Sequence, residues 1–232
     1  MIKKVLGRSL GGTAIAGLVL TAAPVAGTAP FALMACEGYP PPTTTSTTLT
    51  LQRAIATYGT KTTATIHVTS GTNTPVTGKI RLVVDGNTKG ISDITNGVAT
   101  RLLPRKLRAK MTHTIRVDFI ATCLLAGSSA TKKYSVFRAK TATRARVVKA
   151  ARAKFRARVI GSTGLVVRKG KVAFVVRNAQ GVKIRSSVRR VRAGVARTDL
   201  RNLGAGRYKV IARYLGSQNW KASRGVKRFR VR

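Results

Sequence analysis

Apolar and polar residues alternate with a period of two along most of this chain. Ala64, Ile66 and Val68 interleave with Thr63, Thr65 and His67, and Tyr208, Val210, Ala212 and Tyr214 are set against Lys209 and Arg213. Alternation of this kind sends successive side chains to opposite faces of a half-buried strand. Turn-forming clusters separate the runs: Asp85-Gly86-Asn87, Asn96-Gly97, Asn178-Ala179-Gln180-Gly181 and Gly204-Ala205-Gly206. The pattern predicts seven strands near 47–52, 62–69, 78–84, 89–94, 98–103, 113–121 and 131–137. It predicts seven more near 141–148, 153–160, 170–177, 182–188, 193–199, 207–214 and 226–231.

One stretch tests this reading. Residues 138–159 are rich in Ala, Arg and Lys, and Val147, Ala151, Phe155 and Val159 are spaced by four as on a helix face. On a helix, however, Arg152, Lys154, Arg156 and Arg158 scatter around the cylinder and leave no clean apolar stripe. On a strand the four cations share one face, and Ala153, Phe155, Ala157 and Val159 take the other. The strand is the self-consistent choice, with a cationic membrane-surface helix as its rival.

The strands form two copies of one pattern. Gly78-Lys79-Ile80-Arg81-Leu82-Val83-Val84 matches Gly170-Lys171-Val172-Ala173-Phe174-Val175-Val176, and Gly97-Val98-Ala99 matches Gly194-Val195-Ala196. The segment starting at His113 matches the one starting at Tyr208, and Tyr134-Ser135-Val136 matches Phe229-Arg230-Val231. Two domains follow, at 47–137 and 138–232, with the short connection Arg138-Ala139-Lys140 between them.

Residues 1–35 have the order of a secretory signal peptide: Lys3, Lys4 and Arg8, then an apolar run from Leu10 to Ala23, then Pro24 and small residues. The apolar run is short for a membrane span. Residues 36–46 read as a Pro/Thr-rich linker through Pro40-Pro41-Pro42 and the threonines that follow. The chain holds two cysteines, Cys36 and Cys123. An exported chain with an even count pairs them in a disulfide. The rival readings are a lipid on Cys36, within a lipobox-like Leu33-Met34-Ala35-Cys36, and two free thiols.

Charge then narrows the function. The chain has 45 Lys and Arg against five Asp and Glu, a formal net charge of +40. Residues 138–232 carry 29 of these cations and one acid, Asp199. Such an excess implies an anionic partner. Candidate polyanion-binding residues are Arg152, Lys154, Arg156 and Arg158 on one strand, with Arg189, Arg190, Arg192, Arg228 and Arg230 elsewhere in the second domain. Strand neighbours two apart are about 6.8 Å from each other, which suits a repeating phosphate backbone. Aromatic residues make up only 5% of the chain, so no base-stacking platform is expected. A solubilising surface is the bland alternative. His67 and His113 are the only histidines, the acids are scattered, and no nucleophile motif is present. No catalytic residues, metal site, cofactor or small-molecule substrate are expected.

The block Thr77 to Leu82 with its turn Asp85-Gly86, the block Asn96 to Ala99, and the run Leu203, Gly206, Tyr208, Val210, Ala212, Tyr214 together resemble the bacterial Ig-like domain repeats of exported and cell-surface proteins. Asn219-Trp220 and Ser223 are similar to the segment before that family's last strand. His113 departs from the pattern, which usually has an aromatic residue there. The resemblance implies an all-β fold of two tandem Ig-like antiparallel β-sandwiches after the leader and stalk. It also implies spacer or adhesive modules without catalysis, although fold does not settle function. In such a topology Cys36 and Cys123 lie at the same end of the first sandwich. Tyr208 is then a tyrosine-corner residue, or else a ligand contact, and Trp220 covers the sandwich end or anchors a partner. The expected protein is secreted or held at the cell envelope, in contact with an anionic wall polymer or lipid surface. The alternatives are a non-specific extracellular nucleic-acid binder and a passive spacer.

Overall fold

The structure, a computed structural model, describes residues 40–72 and 74–232. The expected signal peptide and Cys36 lie outside the described residues. Among the described residues every regular element is a strand. The first half holds β1 (Thr45–Leu51), β2 (Ile55–Thr57), β3 (Thr63–Ser70), β4 (Gly78–Val84), β5 (Asn87–Ile94), β6 (Val98–Leu102), β7 (Met111–Ile120) and β8 (Ser128–Phe137). The second holds β9 (Thr141–Lys149), β10 (Lys154–Gly161), β11 (Lys171–Asn178), β12 (Lys183–Arg190), β13 (Val195–Asp199), β14 (Gly206–Tyr214) and β15 (Ser223–Val231).

Each half is a two-sheet sandwich, as the alternation predicts. In the first, the sheet β1-β3-β6 faces the sheet β2-β8-β7-β4-β5; in the second, β13-β10-β9 faces β12-β11-β14-β15. All pairings between named strands are antiparallel except β2 with β8. The inward residues of each strand make the cores. Ala64, Ile66, Val68, Ile80, Leu82, Ile115 and Val117 fill the first, and Phe155, Phe174, Val172, Val210, Ala212 and Tyr214 fill the second. Burying each large side chain contributes roughly 1.5–3 kcal/mol.

Residues 138–159 pair as strands, as expected, and two other details differ from the sequence reading. The segment with helix-like composition forms the hairpin β9–β10, with Ala153, Phe155, Ala157 and Val159 buried. Core packing of one apolar face overrides the helix propensity of Ala and Arg. The threonine run does not act wholly as a spacer. Thr43 already bridges to Leu125, and β1 starts at Thr45, inside the expected linker. Threonine suits a strand as well as a stalk, so composition alone did not separate them. Finally, β2 adds a strand that alternation cannot reveal in three residues.

The chain enters each sandwich in the same way. Thr43 lies parallel to Leu125 in the first, and Ala139 lies parallel to Trp220 in the second. Trp220 is buried and meets Tyr58 of the first sandwich edge to face, with ring centroids 5.2 Å apart. Tyr58 packs against both cores. Around this contact, the Ala109 N–H donates to Asn219 Oδ1 at 3.0 Å and Arg105 donates to the Thr163 carbonyl at 3.3 Å.

Candidate polyanion-binding surface

The second sandwich has one carboxylate side chain for 29 cations. Asp199 takes a bond from Arg201 at 3.3 Å, and no other cation of the second sandwich is in an ion pair among the described residues. The first sandwich is different. Its Asp118 is buried between Arg81 (2.7 Å) and Arg116 (2.6 Å), Asp93 meets Lys79 at 3.3 Å, and Asp85 meets His113 at 2.6 Å. The uncompensated charge is therefore concentrated on the second sandwich.

The sheet β13-β10-β9 organises much of it. Because β10 buries Phe155, Ala157 and Val159, it turns Lys154, Arg156 and Arg158 to the other face. Register then brings in cations from both neighbours. Arg156 stands opposite Arg146 on β9 and Arg197 on β13, and Arg158 stands opposite Arg144. Lys154 stands opposite Lys149 and Asp199. Arg144, Arg146, Arg158 and Arg197 are exposed, while Lys154 and Arg156 are half-buried. An open groove of about 560 Å³ lies here, lined by Val148, Lys154, Phe155, Arg156, Arg189, Arg197, Thr198 and Asp199.

The nine cations singled out from the sequence do not form one patch. Lys154, Arg156 and Arg158 share the β10 face, and Arg152 is exposed in the turn before it. Arg189 reaches the groove from β12, the edge of the other sheet. Arg190 pairs in register with Lys171, and Arg192 bridges Val195 beyond the end of β12. Arg228 and Arg230 are on β15 in the opposite sheet, across from Lys209 and Arg207. Sequence reasoning missed Arg144, Arg146 and Arg197, because their place beside β10 depends on register between strands and not on local spacing.

Tyr208 is half-buried, its ring stacks on Phe229, and its hydroxyl donates to the Gly204 carbonyl at 2.9 Å. His113 occupies the equivalent place in the first copy. Its Nε2 lies 2.9 Å from the Arg108 carbonyl and its Nδ1 lies 2.6 Å from Asp85 Oδ2. Both partners are acceptors, so the imidazole fills both bonds when each nitrogen carries a proton. Burial on its own would raise the Asp85 carboxyl. The bonds from His113 and from the Thr114 N–H outweigh it and hold the carboxyl below its ordinary value.

Among the described residues no three His, Cys, Asp or Glu side chains group as a metal site. No protein-family description matches the chain, and no curated protein matches it. Its fold is similar to a tetra-tandem repeat in the extending region of a large adhesion protein, with TM-score 0.45 and 13% identity over 82% of this chain and 49% of that one. It is also similar to the Yersinia pseudotuberculosis adhesin InvE, with TM-score 0.40 and 16% identity over 80% of this chain and 58% of that one. The titin domains z1z2 in complex with telethonin give TM-score 0.40 and 17% identity over 80% of this chain and 94% of that one. The chain thus spans about half the length of the first of these and under two thirds of the second. Likeness at this level leaves function unconstrained.

Proposed function

We propose that the chain is an exported, non-enzymatic Ig-like protein of the cell envelope, structural or adhesive, retained there by electrostatic contact between its second sandwich and anionic polymers. The observation that carries this reading is the charge imbalance: 29 cations and one carboxylate in residues 138–232, with a single ion pair between them. Charges left without partners inside the fold are free to pair outside it, and that pairing is screened by salt. The basic leader and apolar run of residues 1–35 support export.

Export also bears on Cys36 and Cys123. The Thr43 N–H donates to the Leu124 carbonyl and the Ala126 N–H donates to the Thr43 carbonyl, both at 2.8 Å. At Thr43 the stalk therefore runs alongside the loop that holds Cys123. In this reading the two cysteines form a disulfide, closing a loop that stabilises the first sandwich by about 4 kcal/mol.

Washing intact cells with rising salt tests the function. Release in the range of a few hundred millimolar supports electrostatic retention, since the Debye length there falls below about 8 Å. Retention that ignores salt counts against it and favours a lipid anchor or a passive spacer. Release by nuclease in place of salt favours extracellular nucleic acid as the partner.

A further inference from the structure

We propose that the outer face of β13-β10-β9 is a binding surface for an extended polyol-phosphate chain, its phosphates taken by the arginine rows and its hydroxyls by Asp199. This inference rests on the electrostatic reading above and assigns it a face and a ligand class.

The rows follow from register. Arg146, Arg156 and Arg197 make one row across three strands, and Arg144 and Arg158 make the next. Adjacent strands are about 4.8 Å apart and like-facing residues on one strand about 6.8 Å apart. The result is a two-dimensional lattice of guanidinium groups, each able to take a phosphate by two parallel N–H···O bonds. An extended chain with one phosphate per repeat can engage successive rows without changing its own conformation. The opposite sheet has two adjacent cation rows of its own, Arg207 with Arg230 and Arg177, Lys209 with Arg228. The apolar row Val175, Ile211, Val226 cuts them off from Arg213 and Arg224, and neither row lines the groove or meets a carboxylate.

Two features choose among polyanions. First, the lattice face offers no exposed aromatic ring: Phe155, the one aromatic residue of these three strands, borders the groove but is buried in the core. Bases would have nothing to stack on. Second, the lattice ends on a carboxylate. Asp199 stands opposite Lys154 and lines the groove. Its Oδ1 is enclosed, so its exposed Oδ2, which takes only a long bond from Arg201 at 3.3 Å, is the oxygen that can accept from a polymer hydroxyl. A carboxylate oxygen accepts from a hydroxyl and repels a phosphate. A polymer that alternates phosphates with hydroxyl-bearing carbons satisfies both, and a bare polyphosphate does not.

The test uses the full chain as secreted, with fluorescence anisotropy of labelled polymers of equal repeat number: glycerol-phosphate polymer, inorganic polyphosphate and oligo-dT. Two triple variants remove equal charge from opposite faces, Arg146→Ala/Arg156→Ala/Arg197→Ala and Arg207→Ala/Arg228→Ala/Arg230→Ala. The first should weaken glycerol-phosphate polymer binding by about tenfold or more and the second by about threefold or less, because only the first removes arginines that line the groove beside Asp199. Arg156→Lys/Arg197→Lys keeps charge and fold and should still lose about threefold. Asp199→Asn should raise affinity for polyphosphate and lower it for the polyol phosphate. Equal losses from the two triple variants overturn the site and leave the electrostatic reading standing. A wild type that prefers oligo-dT or polyphosphate overturns the ligand class. No binding to any polymer at low salt overturns both.

Discussion

The Thr143 and Ser223 hydroxyls lie 2.7 Å apart, tying the first strand of the second sandwich to its last. Thr141 Oγ1 adds bonds to Ser223 Oγ at 2.7 Å and to the Lys221 carbonyl at 2.8 Å. The first sandwich repeats the clasp atom for atom. Thr47 meets Ser128 at 2.7 Å, and Thr45 meets Ser128 at 2.8 Å and the Ala126 carbonyl at 2.7 Å. A Thr-x-Thr pair thus seals one edge of each sandwich where two sheets meet without a backbone ladder. Replacing Ser223 with Ala leaves two partly buried hydroxyls short of a partner, at a cost of about 1–3 kcal/mol. Thermal unfolding should show the loss, and Ser128→Ala should match it.

Gly225 tests the closeness of that seam. A Cβ at this position would overlap the carbonyl oxygen of Thr143, which is backbone and has little freedom to move. Gly225→Ala should destabilise the second sandwich by about 1–3 kcal/mol through overpacking. Gly86 serves as the control, since nothing lies within 4 Å of a Cβ there. Its positive φ of 76° still strains an alanine, so Gly86→Asn is the substitution to compare.

The two-residue turns make a gain available. Asn96-Gly97 and Ala193-Gly194 close equivalent hairpins, with φ of 52° and 72° in the first and 45° and 77° in the second. Both are turns that need positive φ at each central residue. Asparagine tolerates this region and alanine does not. Ala193 is exposed, so Ala193→Asn should stabilise the second sandwich by about 0.5–1 kcal/mol, raising its midpoint in denaturant without changing the slope.

Much of this fold was readable because alternation is a local signal. Ala64-Ile66-Val68 and Val210-Ala212-Tyr214 announce buried faces within a few residues, and the structure buries them. What escaped was set by contacts between distant segments. Nothing near Thr47 marks Ser128 as its partner, 81 residues away. Arg146 and Arg197 join Arg156 only through pairing register, whereas the alternation within residues 152–159 marked the strand itself but not its neighbours. Trp220 was legible as a residue over a sandwich end, but its contact with Tyr58 depends on how the two copies meet.

His113 predicts an acid limit for the first sandwich. It stands where the second copy has Tyr208, and it makes the same kind of upstream backbone bond, to Arg108 in place of Gly204. Its other nitrogen recruits Asp85, whose carboxyl is lowered below its ordinary value of 3.8. A lowered carboxyl in the folded state means that the unfolded chain binds the proton more readily. The stabilisation is complete above the ordinary value and disappears as pH falls below it, through the lowered one. Chemical denaturation at a series of pH values should therefore show the first sandwich losing stability below about pH 4, with Asp85→Asn less stable at neutral pH and flatter through that window. His113→Tyr restores the residue type of the second copy and removes the ring nitrogen that meets Asp85. It should keep the fold and abolish most of the acid dependence traced to Asp85. A His113→Tyr protein that remains as acid-sensitive as the parent would show that Asp85 draws its low value from the Thr114 N–H and the Lys89 charge without His113.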